Sequence, residues 1–139
     1  MYGESGRHTI RVFVYGTLLP GMPNRHIIEP YVRAMQPGRV RGRLLDAGSY
    51  PALVLEPAIG LRFVRGNWTD IDADGLPVLD ELEEFYGIEE KNDYERVWIR
   101  DADEPNHEGW VYVWPTARGY PEAAGDWWPD AASNSRNRS

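Results

Sequence analysis

The chain contains no cysteine among its 139 residues, only three histidines, and too little positive charge to balance its acids, leaving a formal net charge of −7. Without cysteine there is no disulfide framework, no zinc–thiolate site and no thiolate nucleophile. His8, His26 and His107 are scattered with no ligand spacing, which argues against metal catalysis. Ser5, Ser49 and the tail serines lie in no nucleophile-elbow motif, so a Ser-His-Asp hydrolase is not expected. The shortage of Lys and Arg disfavours nucleic acid, whose phosphates need clustered cations, and an acidic membrane surface. No run approaches the roughly 18 apolar residues of a membrane span. The N-terminal residues lack the apolar stretch of a secretory leader, so a cytoplasmic protein is expected.

Aromatic bulk, by contrast, is plentiful: six Trp and eight Tyr, whose polar tips need partners once the rings are buried. The length fits one domain, assigned to residues 1–130, with 131–139 expected to be a disordered tail. Alternating and β-branched segments predict six strands, at 8–14, 39–46, 52–55, 61–70, 94–100 and 108–114. Asn24 is placed to cap a short helix interrupted by Pro30. The clearest helix is 77–86, entered from an Asp-rich turn. Residues 119–130, rich in Pro and aromatics, are expected to pack back on the body without regular structure. This order of elements predicts an α+β fold, of a kind that can form a small barrel.

The predicted helix holds four acids, and its geometry separates them. At about 100° per residue, Leu76, Leu79, Leu82 and Tyr86 form one stripe, and Glu83 falls inside it. Asp80 sits at the margin of that stripe, while Glu81 and Glu84 point toward water. A carboxylate among leucines is desolvated, which raises its pKa and makes it a better base near neutrality. The structural alternative is an ion pair, with Arg96 on the next strand as the candidate partner.

Tyr15-Gly16-Thr17-Leu18 follows the first strand directly. A glycine there lets a ligand approach the backbone, and successive free N–H groups can form a nest for a carboxylate or a developing oxyanion. The competing reading is a plain strand-ending turn. Separately, Asp70-Ile71-Asp72-Ala73-Asp74-Gly75 followed by Glu81 matches the spacing of a calcium loop. The preceding segment reads as a strand rather than a helix, and Pro77 stands where paired loops bond each other. A turn whose Asp residues cap the helix is therefore favoured.

Taken together, Val14-Tyr15-Gly16-Thr17-Leu18 with Asn24, Gly42-Arg43-Leu44, Tyr50-Pro51-Ala52-Leu53 and Val64-Arg65-Gly66 resemble the gamma-glutamylcyclotransferase-like family, including its AIG2-like branch. Leu79-Asp80-Glu81-Leu82-Glu83, Tyr94-Glu95-Arg96, Val111-Tyr112-Val113 and Gly125-Asp126-Trp127 continue the match in the family's order. The resemblance implies a compact mixed β-barrel flanked by helices, and a cyclotransferase that releases 5-oxoproline and an amine from a gamma-glutamyl amine or peptide. It implies Glu83 as general base and acid, and Tyr15, Gly16, Thr17, Leu18, Tyr50 and Tyr94 as substrate-binding residues. Arg96 would support the fold or orient Glu83. The implied partner is a small gamma-glutamyl substrate, with its leaving group unspecified, and the implied chemistry requires no metal or organic cofactor because the nucleophile is tethered to its target. Glu84 stands where the family usually has glycine, a departure that bears on the leaving-group end. The alternative is a non-catalytic member of the same fold that binds a small ligand.

Overall fold

The computed structural model of the protein describes residues 8–48, 50–55, 62–86, 95–104 and 106–137, with the side chains of 82–86 and 133–137 outside that description. In chain order the elements are β1 (Thr9–Val14), α1 (Arg25–Ile28), a 3-10 turn (Glu29–Tyr31), β2 (Val32–Asp46), β3 (Pro51–Leu55) and β4 (Phe63–Asp72). There follow a second 3-10 turn (Ala73–Gly75), α2 (Leu76–Tyr86), β5 (Glu95–Arg100), β6 (Glu108–Val113) and α3 (Trp128–Asn137). The strands form one sheet in the order β3-β2-β4-β1-β6-β5. Among the described residues, only the β1–β6 pairing is parallel.

Strand alternation assigns the two faces. Phe13 and Tyr15, with Val111 and Val113 of β6, join a core that includes Val40, Leu53, Trp68 and Trp128. Val12 and Val14, with Tyr112, face the other way, into a cluster with Leu18, Leu19, Ile28, Ile71 and Leu79. Because successive side chains leave a strand on opposite faces, both faces of β1 and β6 are covered, and both read as nearly continuous apolar runs.

The sheet curls so that β6 approaches β3. β2 pairs with β4 as far as Arg41 and with β3 from Gly42 onward. A Cβ on Gly42 would lie 2.7 Å from Leu53 Cδ1 and 2.8 Å from the Val54 carbonyl oxygen, so the strand changes partners where only glycine fits. The Trp114 N–H then donates to the Leu53 carbonyl at 2.9 Å, drawing the end of β6 onto β3. The result is a curled α+β half-barrel flanked by helices.

Three sequence expectations shift. β2 begins at Val32, not at 39. Its first half has exposed side chains and a proline and pairs only with β4, so it lacks the apolar alternation that marks a strand. Asn24 precedes α1 without a side-chain cap bond; its amide donates instead to Thr17 Oγ1 at 3.0 Å. Most clearly, α3 runs from Trp128 to Asn137, through the stretch expected to be a disordered tail. Trp128, Ala131 and Ala132 are buried, and their i, i+3, i+4 spacing supplies the apolar stripe that docks the helix.

Candidate functional site

A small pocket opens where β1 ends, lined by residues 12–18 with Tyr50, Pro51 and Tyr112. It brings together Tyr15, Gly16, Thr17, Leu18 and Tyr50. Gly16 is buried, and a Cβ there would lie 2.7 Å from Pro51 Cγ. The glycine is therefore required by the close approach of Pro51, which the sequence did not single out as a wall of the site.

Hydrogen bonding polarises the loop. The Gly16 carbonyl accepts from the Leu19 N–H at 3.0 Å and the Thr17 carbonyl from the Asn24 N–H at 2.9 Å. The Leu18 carbonyl accepts from Arg25 Nη1 at 3.4 Å. The loop's acceptors are thus occupied from behind, whereas among the described residues the N–H groups of Gly16, Thr17 and Leu18 meet no acceptor. Three successive donors in a loop that lines a pocket can seat a carboxylate or an oxyanion.

The Tyr15 side chain turns away from this role. Its hydroxyl donates to the Tyr112 carbonyl at 2.7 Å and accepts from the Leu53 N–H at 3.1 Å, so it ties β3 to β6 behind the pocket. Tyr112 in turn donates its own hydroxyl to Asp80 Oδ1 at 2.6 Å. Arg96 Nη1 reaches both Asp80 oxygens at 2.6 Å and its guanidinium lies over the Trp110 ring. Burial pushes the Arg96 guanidinium down, and its hydrogen bonds to Tyr112 and Asp80 outweigh that, leaving it above its ordinary value. The cation considered for Glu83 therefore pairs with Asp80.

Glu83 belongs to α2, one helical turn beyond Leu79 and Asp80. Leu79 packs with Val12, Val14, Leu18 and Tyr112, all of which line the pocket, so this helix lies against the pocket wall. The Glu83 side chain and all of Tyr94 fall outside the described residues. Asp80 and Tyr112 are the members of the site that the sequence reading left without a role. The available signal was the period-2 pattern of β6, which puts Tyr112 on the face opposite Val111, and the marginal position of Asp80 on the helical stripe.

In another hollow, whose lining includes Arg43, Arg62 and Glu122, Glu122 faces Arg43 at 3.8 Å and Arg62 at 3.5 Å. The calcium-like spacing at 70–81 falls on the end of β4, a 3-10 turn and α2. Asp70 pairs with Arg11 at 2.8 Å and Asp72 with Arg33 at 2.8 Å, while Asp72 also accepts from the Asp74 N–H. Among the described residues no group of three or more His, Asp or Glu is arranged to hold a metal ion, and no helix is long and apolar enough to cross a membrane.

A curled sheet with a pocket at one strand end, backed by a helix, defines a small α+β domain. The family described as "Gamma-glutamyl cyclotransferase, AIG2-like" matches residues 12–129, and the chain belongs to that family. A relative from Niallia circulans, gamma-L-glutamyl-butirosin B gamma-glutamyl cyclotransferase, is 32% identical over 106 residues, a match covering 74% of this chain and 65% of that protein. The chain thus spans less than two thirds of that relative's length. An AIG2-like protein from Mus musculus superposes with a TM-score of 0.61 at 25% identity, covering 85% of this chain and 88% of that one. YkqA from Bacillus subtilis shares the fold with a TM-score of 0.68 at 17% identity, across 94% of this chain and 43% of that one.

Proposed function

We propose that the protein is a gamma-glutamyl cyclotransferase that converts a gamma-glutamyl amine or peptide into 5-oxoproline and the free amine. The observation that carries this reading is the run of free N–H groups at Gly16, Thr17 and Leu18, in a chain of this family. A gamma-glutamyl head group brings an α-carboxylate and a γ-carbonyl, both hydrogen-bond acceptors, and the loop offers donors for either. Tyr50 and Tyr94 complete the substrate contacts in this proposal.

Glu83 acts as the base and then the acid. It takes a proton from the substrate α-ammonium, and the freed amine attacks the γ-carbonyl carbon to close the five-membered ring. The ring nitrogen, left with two hydrogens by the attack, gives up its second proton to solvent; the tetrahedral oxyanion collapses, the bond to the leaving nitrogen breaks, and the protonated Glu83 returns its proton to that nitrogen. The nucleophile is tethered to its target, so the entropic cost of bringing two reactants together is already met. No cofactor enters these steps. The name of the Niallia circulans relative supports including gamma-L-glutamyl-butirosin B among the substrates tried.

The test is a panel of gamma-glutamyl amines and peptides assayed for 5-oxoproline, with Glu83→Gln as control. Turnover by the wild-type chain and a loss of about 10²-fold or more in the variant is expected. If the pocket binds gamma-glutamyl compounds with no turnover, and Glu83→Gln leaves affinity unchanged, the protein is a binding member of the fold.

A further inference from the structure

We propose that Asp80 is a positioning residue for this reaction: by holding the Tyr112 hydroxyl and the Arg96 guanidinium together, it keeps the turn of α2 that carries Glu83 against the pocket wall. The inference rests on the cyclotransferase reading and goes beyond it, to what holds the helix of the base in register.

The acids Asp70, Asp72, Asp103 and Asp126 each take one arginine, Arg11, Arg33, Arg39 and Arg65 respectively, at 2.7 to 3.0 Å. Asp80 differs in what it joins. It accepts from a hydroxyl on β6 at 2.6 Å and from a guanidinium on β5 at 2.6 Å, so one carboxylate ties α2 to two strands. The hydroxyl belongs to Tyr112, a pocket-lining residue that is only 6% exposed. A phenol so placed needs an acceptor, and an ionised carboxylate gives it a short, strong bond.

The chain of bonds continues behind the pocket. Leu53 N–H donates to Tyr15, Tyr15 donates to the Tyr112 carbonyl, and Tyr112 donates to Asp80. Tyr112 is thus fixed at both ends, by its main chain to the frame under the loop and by its side chain to the helix. The loop that offers the donors and the helix that carries Glu83 are referenced to the same residue.

A purely stabilising role fits these numbers poorly. The side chains of Asp80 and Arg96 are 44% and 32% exposed, and ion pairs at that exposure add little to global stability. Position is more demanding than stability, because a shift of about 1 Å in a reacting group can cost about 10²-fold in rate.

The experiment compares Asp80→Ala, Asp80→Asn, Tyr112→Phe and the Asp80→Ala/Tyr112→Phe pair with the wild-type chain. Steady-state kinetics on the best panel substrate are measured alongside hydrogen exchange of the α2 amides. Asp80→Ala is expected to lower kcat about 10- to 100-fold with KM within about twofold, and Tyr112→Phe to lose a similar factor. The pair should lose no more than the larger single loss, since both remove one interaction. Asp80→Asn should recover most of kcat, because its amide oxygen still accepts from Tyr112. Exchange in α2 should quicken about tenfold in Asp80→Ala while the sheet amides stay unchanged.

An Asp80→Ala variant with kcat within twofold of wild type overturns the proposal. So does an effect confined to KM, or losses that multiply in the pair. If the wild-type chain releases no 5-oxoproline from any substrate, the cyclotransferase reading fails instead. Exchange then decides alone, and unchanged α2 protection in Asp80→Ala rejects the hold on the helix.

Discussion

The hydroxyl of Tyr15 accepts from the Leu53 N–H and donates to the Tyr112 carbonyl, so Tyr15→Phe removes one hydrogen bond from each of two buried residues. That costs about 1–3 kcal/mol, to be read as a lower urea midpoint with an unchanged slope. Gly16→Ala puts a methyl 2.7 Å from Pro51 Cγ and forces the donor loop or Pro51 to move. A fall in kcat/KM of about tenfold or more is expected, measured on the substrate that wild type turns over best. Asp101 supplies a pH prediction. Burial pushes its carboxyl up, but donors from Trp68, Glu104, Arg39 and Asp103 outweigh burial and hold it below its ordinary 3.8. A depressed carboxylate contributes stability that is complete above its unfolded value and is lost as pH falls through its folded value. Asp101→Asn should therefore weaken the protein near neutrality and flatten the decline of stability below about pH 4. A denaturation series across that range in both proteins checks it. At this scale the sequence singled out Tyr15-Gly16-Thr17-Leu18 after a buried strand, and the structure places that loop on the pocket; it also singled out Glu83 by helical position, a side chain outside the described residues. It did not single out Asp80 and Tyr112, which come together only across elements distant in sequence.

Elements were legible where one face was buried and the other wet. The β5–β6 hairpin, β3, β4 and α2 all fall within a few residues of their predicted bounds, because alternation and helical period mark them. The first half of β2 escaped because its side chains are exposed and carry no apolar signal. α3 escaped because Ser, Asn and Arg surround an apolar set of only Trp128, Ala131 and Ala132, so composition suggested a tail while spacing made a helix. Trp128 is 1% exposed in the main core, and Trp128→Ala is expected to cost about 3–5 kcal/mol. A melting temperature within a degree or two of wild type would show that α3 is not an integral part of the domain. The register of β5 against β6 places Arg96 opposite Tyr112, and that pairing turns two unrelated sequence positions into one site.

On the scale of the whole molecule, the sheet curls until β6 meets β3, the donor loop leaves β1 beside that closure, and α2 covers the adjoining face. The pocket is a consequence of this topology, since the loop, Tyr50–Pro51 and Tyr112 converge only when the sheet is curled. Family membership was readable from ordered motifs along most of the chain and is shown by the match over residues 12–129. The leaving group was not readable, because in the proposed function the donor loop addresses only the gamma-glutamyl half of a substrate. The most direct test is 5-oxoproline release by the wild-type chain and by Glu83→Gln over the same panel of gamma-glutamyl amines and peptides. Release by wild type, with a loss of about 10²-fold or more in a variant that keeps its fold and affinity, is the predicted result. Equal release by the two proteins would contradict Glu83 as the proton-transfer group, and with it the proposed mechanism.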